Sequence, residues 1–192
     1  MCDREQAIDE LRRLLARSSD EEIERFVLED PHGLCFWVDW REFDENIITA
    51  CEGCIESGQL SGAREGGEVI IRYKGRAVQV PLVEGVADRG ITVRTLNDVL
   101  NPDYQIRFVV SSHGSDTLAF LPLPSSIWES FEAEFPQRVA ANFVQLSQLP
   151  NVFTELHDDQ LPPLAKTNFE KMLARNRKEW LRRNKKWWQC WK

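Results

Sequence analysis

Apolar residues recur along this chain at two spacings, and the changes from one to the other divide it into elements. Ile8, Leu11 and Leu15 stand at helical intervals among charges, so 3–17 reads as an amphipathic helix. Ser19-Asp20-Glu21-Glu22 has the form of a capping box, which predicts a second helix running to about Asp30 over Ile23, Phe26 and Val27. Pro31-His32-Gly33 breaks it. A run of β-prone residues from Leu34 to Trp40 predicts a strand, with Trp37, Val38 and Trp40 as core material. From Asp44 to about Ser57, Ile47, Cys51, Cys54 and Ile55 fall on one helical stripe. The glycine-rich stretch 58–67 then reads as a flexible loop.

The middle of the chain alternates. Glu68 to Tyr73 and Arg76 to Leu82 predict a hairpin turned by Lys74-Gly75, where glycine supplies the positive φ. Tyr104 to Ser111 and Thr117 to Leu121 repeat the arrangement, and a helix over 92–100 separates the two hairpins, stopped by Asn101-Pro102. The expectation is an α+β fold: an antiparallel sheet of about four or five strands built from the two hairpins, with helices packed on it. After Pro122 and Pro124 the spacing becomes helical again, through Ile127, Trp128, Phe131 and Phe135, then Val139, Phe143 and Leu146. A proline-rich connection over 149–165 precedes the last segment.

That last segment changes the electrostatic picture. The net charge of -7 divides into 7 Lys+Arg against 17 Asp+Glu over 1–66, 7 against 12 over 67–165, and 10 against 2 over 166–192. An acidic body, 1–165, therefore carries a basic, tryptophan-rich C-terminal helix, 166–192, within one domain. On a wheel at about 100° per residue, Phe169, Leu173, Trp180, Trp187 and Trp191 form one stripe, and Lys171, Arg175, Lys178, Arg182, Lys185 and Lys186 gather at the opposite pole. Single-stranded nucleic acid is gripped by aromatic and basic groups on a shared surface, so this segregation disfavours nucleic acid. It predicts instead a helix whose aromatic stripe docks on its own body; opposed faces also suit a membrane surface or a partner groove.

Candidate chemistry is sparse. His32, Cys35, Cys51 and Cys54 have the outline of a zinc site. The apolar stripe shared by Cys51 and Cys54 argues for core thiols, so no metal and no cofactor is expected. Glu45, Glu52 and Glu56 around the Cys-x-x-Cys would raise rather than lower a thiol pKa, which argues against redox catalysis. Ser111-Ser112-His113-Gly114-Ser115-Asp116 contains the residue types of a nucleophilic triad, but six consecutive residues in a turn do not converge as a triad must. His157-Asp158-Asp159 reads as an exposed loop, and no phosphate-binding loop is present. With no catalytic constellation, a non-enzymatic role is expected.

Two acidic clusters remain, Asp20, Glu21, Glu22 and Glu24, and Glu42, Asp44 and Glu45. Together with the charge of the first third they predict a docking face for a basic protein. No apolar run approaches the roughly 18 residues of a membrane span, and the five cysteines do not suit a disulfide scaffold. A soluble cytoplasmic protein with reduced thiols is expected, its self-association left open. The function expected is that of an acidic inhibitor of immunity-protein type, occluding a basic toxin or nuclease. The alternatives are a regulator acting on nucleic acid or membrane through the tail, and an unrecognised enzyme or small zinc protein.

Overall fold

The computed structural model describes residues 4–83 and 86–189, with backbone alone for 185–189. Helix α1 (Arg4–Arg17) buries Ala7, Ile8, Leu11 and Leu15. Helix α2 (Asp20–Glu29) opens with the capping box: the Glu22 amide donates to Ser19 Oγ and the Ser19 amide to the Glu22 carboxylate. It ends at Asp30, in the left-handed region, whose carboxylate accepts from the Leu34 amide (2.7 Å) and the Cys35 amide (3.1 Å). That pair of bonds turns the chain into strand β1 (Phe36–Asp39).

Next come α3 (Asp44–Ile55), the strands β2 (Leu60–Glu65), β3 (Glu68–Tyr73) and β4 (Arg76–Gln79), and α4 (Arg89–Leu100). Strands β5 (Tyr104–Val109) and β6 (Thr117–Pro124) are followed by α5 (Ser125–Glu134), α6 (Pro136–Asn142), the three-residue β7 (Phe143–Gln145) and the long α7 (Pro163–Gln189). This is an α+β fold with antiparallel strands, helices packed on them and a long C-terminal helix.

The two predicted hairpins lie in different sheets. One has the order β1-β6-β5-β7, the other β2-β3-β4. The difference originates in 58–67, which is no loop. Leu60–Glu65 pairs along its whole length with Glu68–Tyr73, and Gly66 and Gly67, both at positive φ, make the turn. Gly62 explains the strand's composition: a Cβ there would lie 2.4 Å from Ile48 Cδ1, so only glycine lets α3 rest on β2.

The four-stranded sheet has a core on each face. Phe36, Val38, Phe108, Leu118 and Phe120 point toward α3, α4 and the smaller sheet. Ala119, Leu121 and Leu123 point toward Leu11, Ile23, Trp128 and Phe131 of α1, α2 and α5. Alternation along β6 thus feeds both cores, as a strand buried on two faces must. Helix α7 joins the first core through Ala165, Phe169 and Met172. Among the described residues no helix is long and apolar enough to cross a membrane.

Candidate functional site

The acidic residues expected to form a docking face are largely engaged within the chain. Asp20 accepts from Arg138 (2.9 Å), Glu22 is the capping partner of Ser19, and Arg175 of α7 bonds Glu24 and lies 3.8 Å from Glu21. In the second cluster Glu42 accepts from the Asn46 side chain (2.7 Å), and Glu45 faces Arg64 at 3.4 Å. Asp44 is fully buried, accepting from Thr92 Oγ1 at 2.7 Å, and burial pushes its carboxyl above the usual range. A buried carboxylate at the start of α3 cannot meet a partner, so Asp44 is a core residue rather than a docking residue. The second cluster secures α3; the first secures α2 against α6 and α7.

Helix α7 also departs from expectation. Phe169 is 3% exposed, its ring 4.8 Å from the His113 imidazole, and Asn168 Nδ2 donates to the Ala141 carbonyl and to Asn142 Oδ1, each at 3.1 Å. Among the described side chains beyond Met172, Leu173 is exposed, Trp180 is 64% exposed, and Leu181 is exposed. The aromatic stripe is therefore not docked as a whole. Its cause is an offset between two stripes. Ala165, Phe169 and Met172 form the seam that meets the body, but the next residues in that series, Asn176, Glu179 and Arg183, are polar. Leu173 and Trp180 each sit one residue, about 100°, beyond a seam position. The Trp187 side chain and Trp191 lie outside the described residues.

Where the free stretch begins, α2 and α7 enclose an open cleft of about 300 Å³. Its walls carry Glu21, Glu24, Glu29 and Glu179 against Arg25 and Arg175, with Leu28 and Asn176 between them. The cleft is net acidic. Leu28 is exposed there, and Trp180 follows Asn176 by one helical turn. This acidic cleft, with Leu28 at its edge and the exposed face of α7 beginning beside it, is the candidate for binding a protein partner. Glu21 and Glu24, read from the sequence as one acidic cluster, both line this cleft; sequence reasoning missed the α7 contribution because no local signal marks where a helix parts from its body.

The zinc candidates sit in different surroundings, although Cys54 lies near enough to Cys35 for its charge to act there. His32 Nε2 lies 3.5 Å from Glu10 of α1, Cys35 belongs to the core under α1 and α2, and Cys51 and Cys54 belong to the core beneath α3. All three thiols are free and buried, and burial drives each pKa up, that of Cys54 to about 12. Among the described residues no group of three or more His, Cys, Asp or Glu is placed to hold a metal ion.

The turn 111–116 does not assemble a triad. Ser112 is buried, its hydroxyl donating to the Val109 carbonyl (2.8 Å) and accepting from the Ala119 amide (2.9 Å). The structure does bring together two stretches read separately: His113 Nε2 lies 2.9 Å from Asp158 Oδ1. The imidazole is packed between this carboxylate, Phe108 and Phe169, which makes it a joint between the hairpin and α7. Trp40, expected in the core, is exposed beside this turn with the Arg41 guanidinium over its ring. Compared with family models, curated proteins and solved structures, the chain matches none.

Proposed function

We propose that this is a non-enzymatic protein-binding protein that engages a basic partner through the α2–α7 cleft and the free face of α7. The observation that carries this reading is the exposure of Trp180, with the exposed Leu173 on the same helix face, on a helix segment that stands clear of the body. Helix faces of this kind are met by apolar grooves in partners, and tryptophan is prominent among the residues that anchor such contacts. The partner's charge follows from the cleft, where four carboxylates oppose two guanidiniums beside an acidic body. Lys171, Lys178 and Arg182 lie on the opposite side of α7 and stay in solvent when its apolar face is covered. Occluding the surface of a basic toxin or nuclease, as an inhibitor of immunity-protein type does, is the use we assign to this arrangement.

Affinity capture from source lysate with three baits tests the reading: the native chain, Trp180→Ala and Glu29→Lys. One basic protein is expected to be retained by the native chain, released by high salt, and lost about tenfold or more with each variant. The purified pair should reproduce those losses. Retention that Trp180→Ala leaves intact overturns the proposal. So does an acidic partner, or tight binding of anionic vesicles or single-stranded DNA in place of protein.

A further inference from the structure

Arg107, on the central strand β5, is 2% exposed, yet its guanidinium lines a cavity of about 490 Å³ between β7, α6 and the start of α7. It lies 4.2 Å from the Trp128 ring. Nε and Nη2 donate to Gln105 Oε1 at 2.8 and 2.6 Å, and Nη1 pairs with Glu132 at 2.8 Å. A guanidinium carries five N–H donors, and these contacts use three of them. Its sole carboxylate partner among the described residues is set differently: the Glu132 side chain is 43% exposed, at the rim. Gln145 Nε2 also reaches Glu132, in a long bond of 3.3 Å, and Gln148 adds a second amide. The remaining walls are apolar, among them Val139, Phe143, Val144 and Leu164.

We propose that this cavity binds a small organic monocarboxylate with an apolar body. The ligand carboxylate takes the Nη edge of Arg107 in the planar fork geometry that guanidinium and carboxylate share. Glu132 swings from its rim position into water, and Gln145, released from its long bond, donates to the ligand. Exchanging one carboxylate for another keeps the buried cation balanced. A dianion such as phosphate would add uncompensated charge beside Glu132, which selects against it. The cavity lies in the range of volumes that hold small ligands, and its walls accept an aliphatic or aryl chain.

Calorimetric titration with 4-phenylbutyrate and its neutral counterpart 4-phenylbutanol tests this site. The acid is expected to bind about tenfold or more tightly than the alcohol, because only it makes charge-assisted bonds. Arg107→Met should abolish that preference. Glu132→Gln keeps the cavity's shape and removes the internal competitor, so it should bind 4-phenylbutyrate several-fold more tightly than the native chain. In both proteins that bind, the Trp128 indole N–H resonance should shift on titration. Equal binding of acid and alcohol, no binding of either, weaker or unchanged binding in Glu132→Gln, or an unmoved Trp128 signal would each overturn the proposal.

Discussion

Truncating one aromatic residue on each half of α7 should have very unequal consequences for stability. Phe169 is 3% exposed against His113 and the first core. Its replacement by alanine removes the ring and leaves a void, at a cost of about 3–5 kcal/mol. Domains of this size are stable by roughly 5–15 kcal/mol, and each kcal/mol moves Tm by roughly 2–4 °C. Phe169→Ala should therefore lower Tm by roughly 6–20 °C. Trp180 is 64% exposed, and surface substitutions of that kind stay within about 0.5 kcal/mol. Trp180→Ala should thus leave Tm within about 2 °C of the native chain. Calorimetry and urea unfolding followed by circular dichroism measure both, and the double variant should show the sum of the two effects. If Trp180→Ala costs as much as Phe169→Ala, the distal half of α7 is packed and the free-face account fails. If Phe169→Ala is neutral, the proximal half is not anchored.

Three further outcomes follow from other parts of the fold. Gly62→Val should destabilise by about 1–3 kcal/mol through overpacking against Ile48, and Ile48→Ala should recover part of that loss in the double variant, read by urea midpoints. Asp44 has a carboxyl pKa raised by burial, so the native state resists its ionisation; this destabilisation is absent below the ordinary Asp value of about 3.9 and grows as pH rises through the native value. Stability of the native chain relative to Asp44→Asn should therefore fall between acid and neutral pH, and a gap that is flat or widens in the native chain's favour contradicts the assignment. Cys51 and Cys54 should resist iodoacetamide at pH 8 until the chain unfolds, since buried thiols with raised pKa values supply almost no thiolate; rapid native-state alkylation, or stoichiometric zinc by elemental analysis, would displace the core-thiol reading.

What the sequence made legible was whatever has a local cause. The Ser19–Glu22 capping box, the Lys74-Gly75 turn and the stripe of Ile47, Cys51, Cys54 and Ile55 each depend on residues within a few positions of one another, and each formed as read. Gly58 to Gly67 misled because glycine has two uses: Gly66 and Gly67 do turn the chain, but Gly62 is a packing residue whose reason, Ile48, lies on another element. Division of the hairpins between two sheets has no local sign either, since strand pairing is settled by which faces find a core. The acidic clusters were visible as charge, and their ion partners were not: Arg138 meets Asp20 and Arg175 meets Glu24 only after the chain has crossed more than half its length. Arg107 illustrates the same limit. Nothing near it in sequence tells that this arginine is buried and lines a cavity rather than facing water.

The central claim is that the free face of α7 belongs to a partner, and a photo-crosslinking residue placed at Leu173, on the same exposed face as Trp180, tests it most directly. Illumination in source cells should yield one crosslinked basic protein, in a product that the Glu29→Lys change removes. Crosslinks confined to the chain's own body, or to lipid or nucleic acid, would contradict the account.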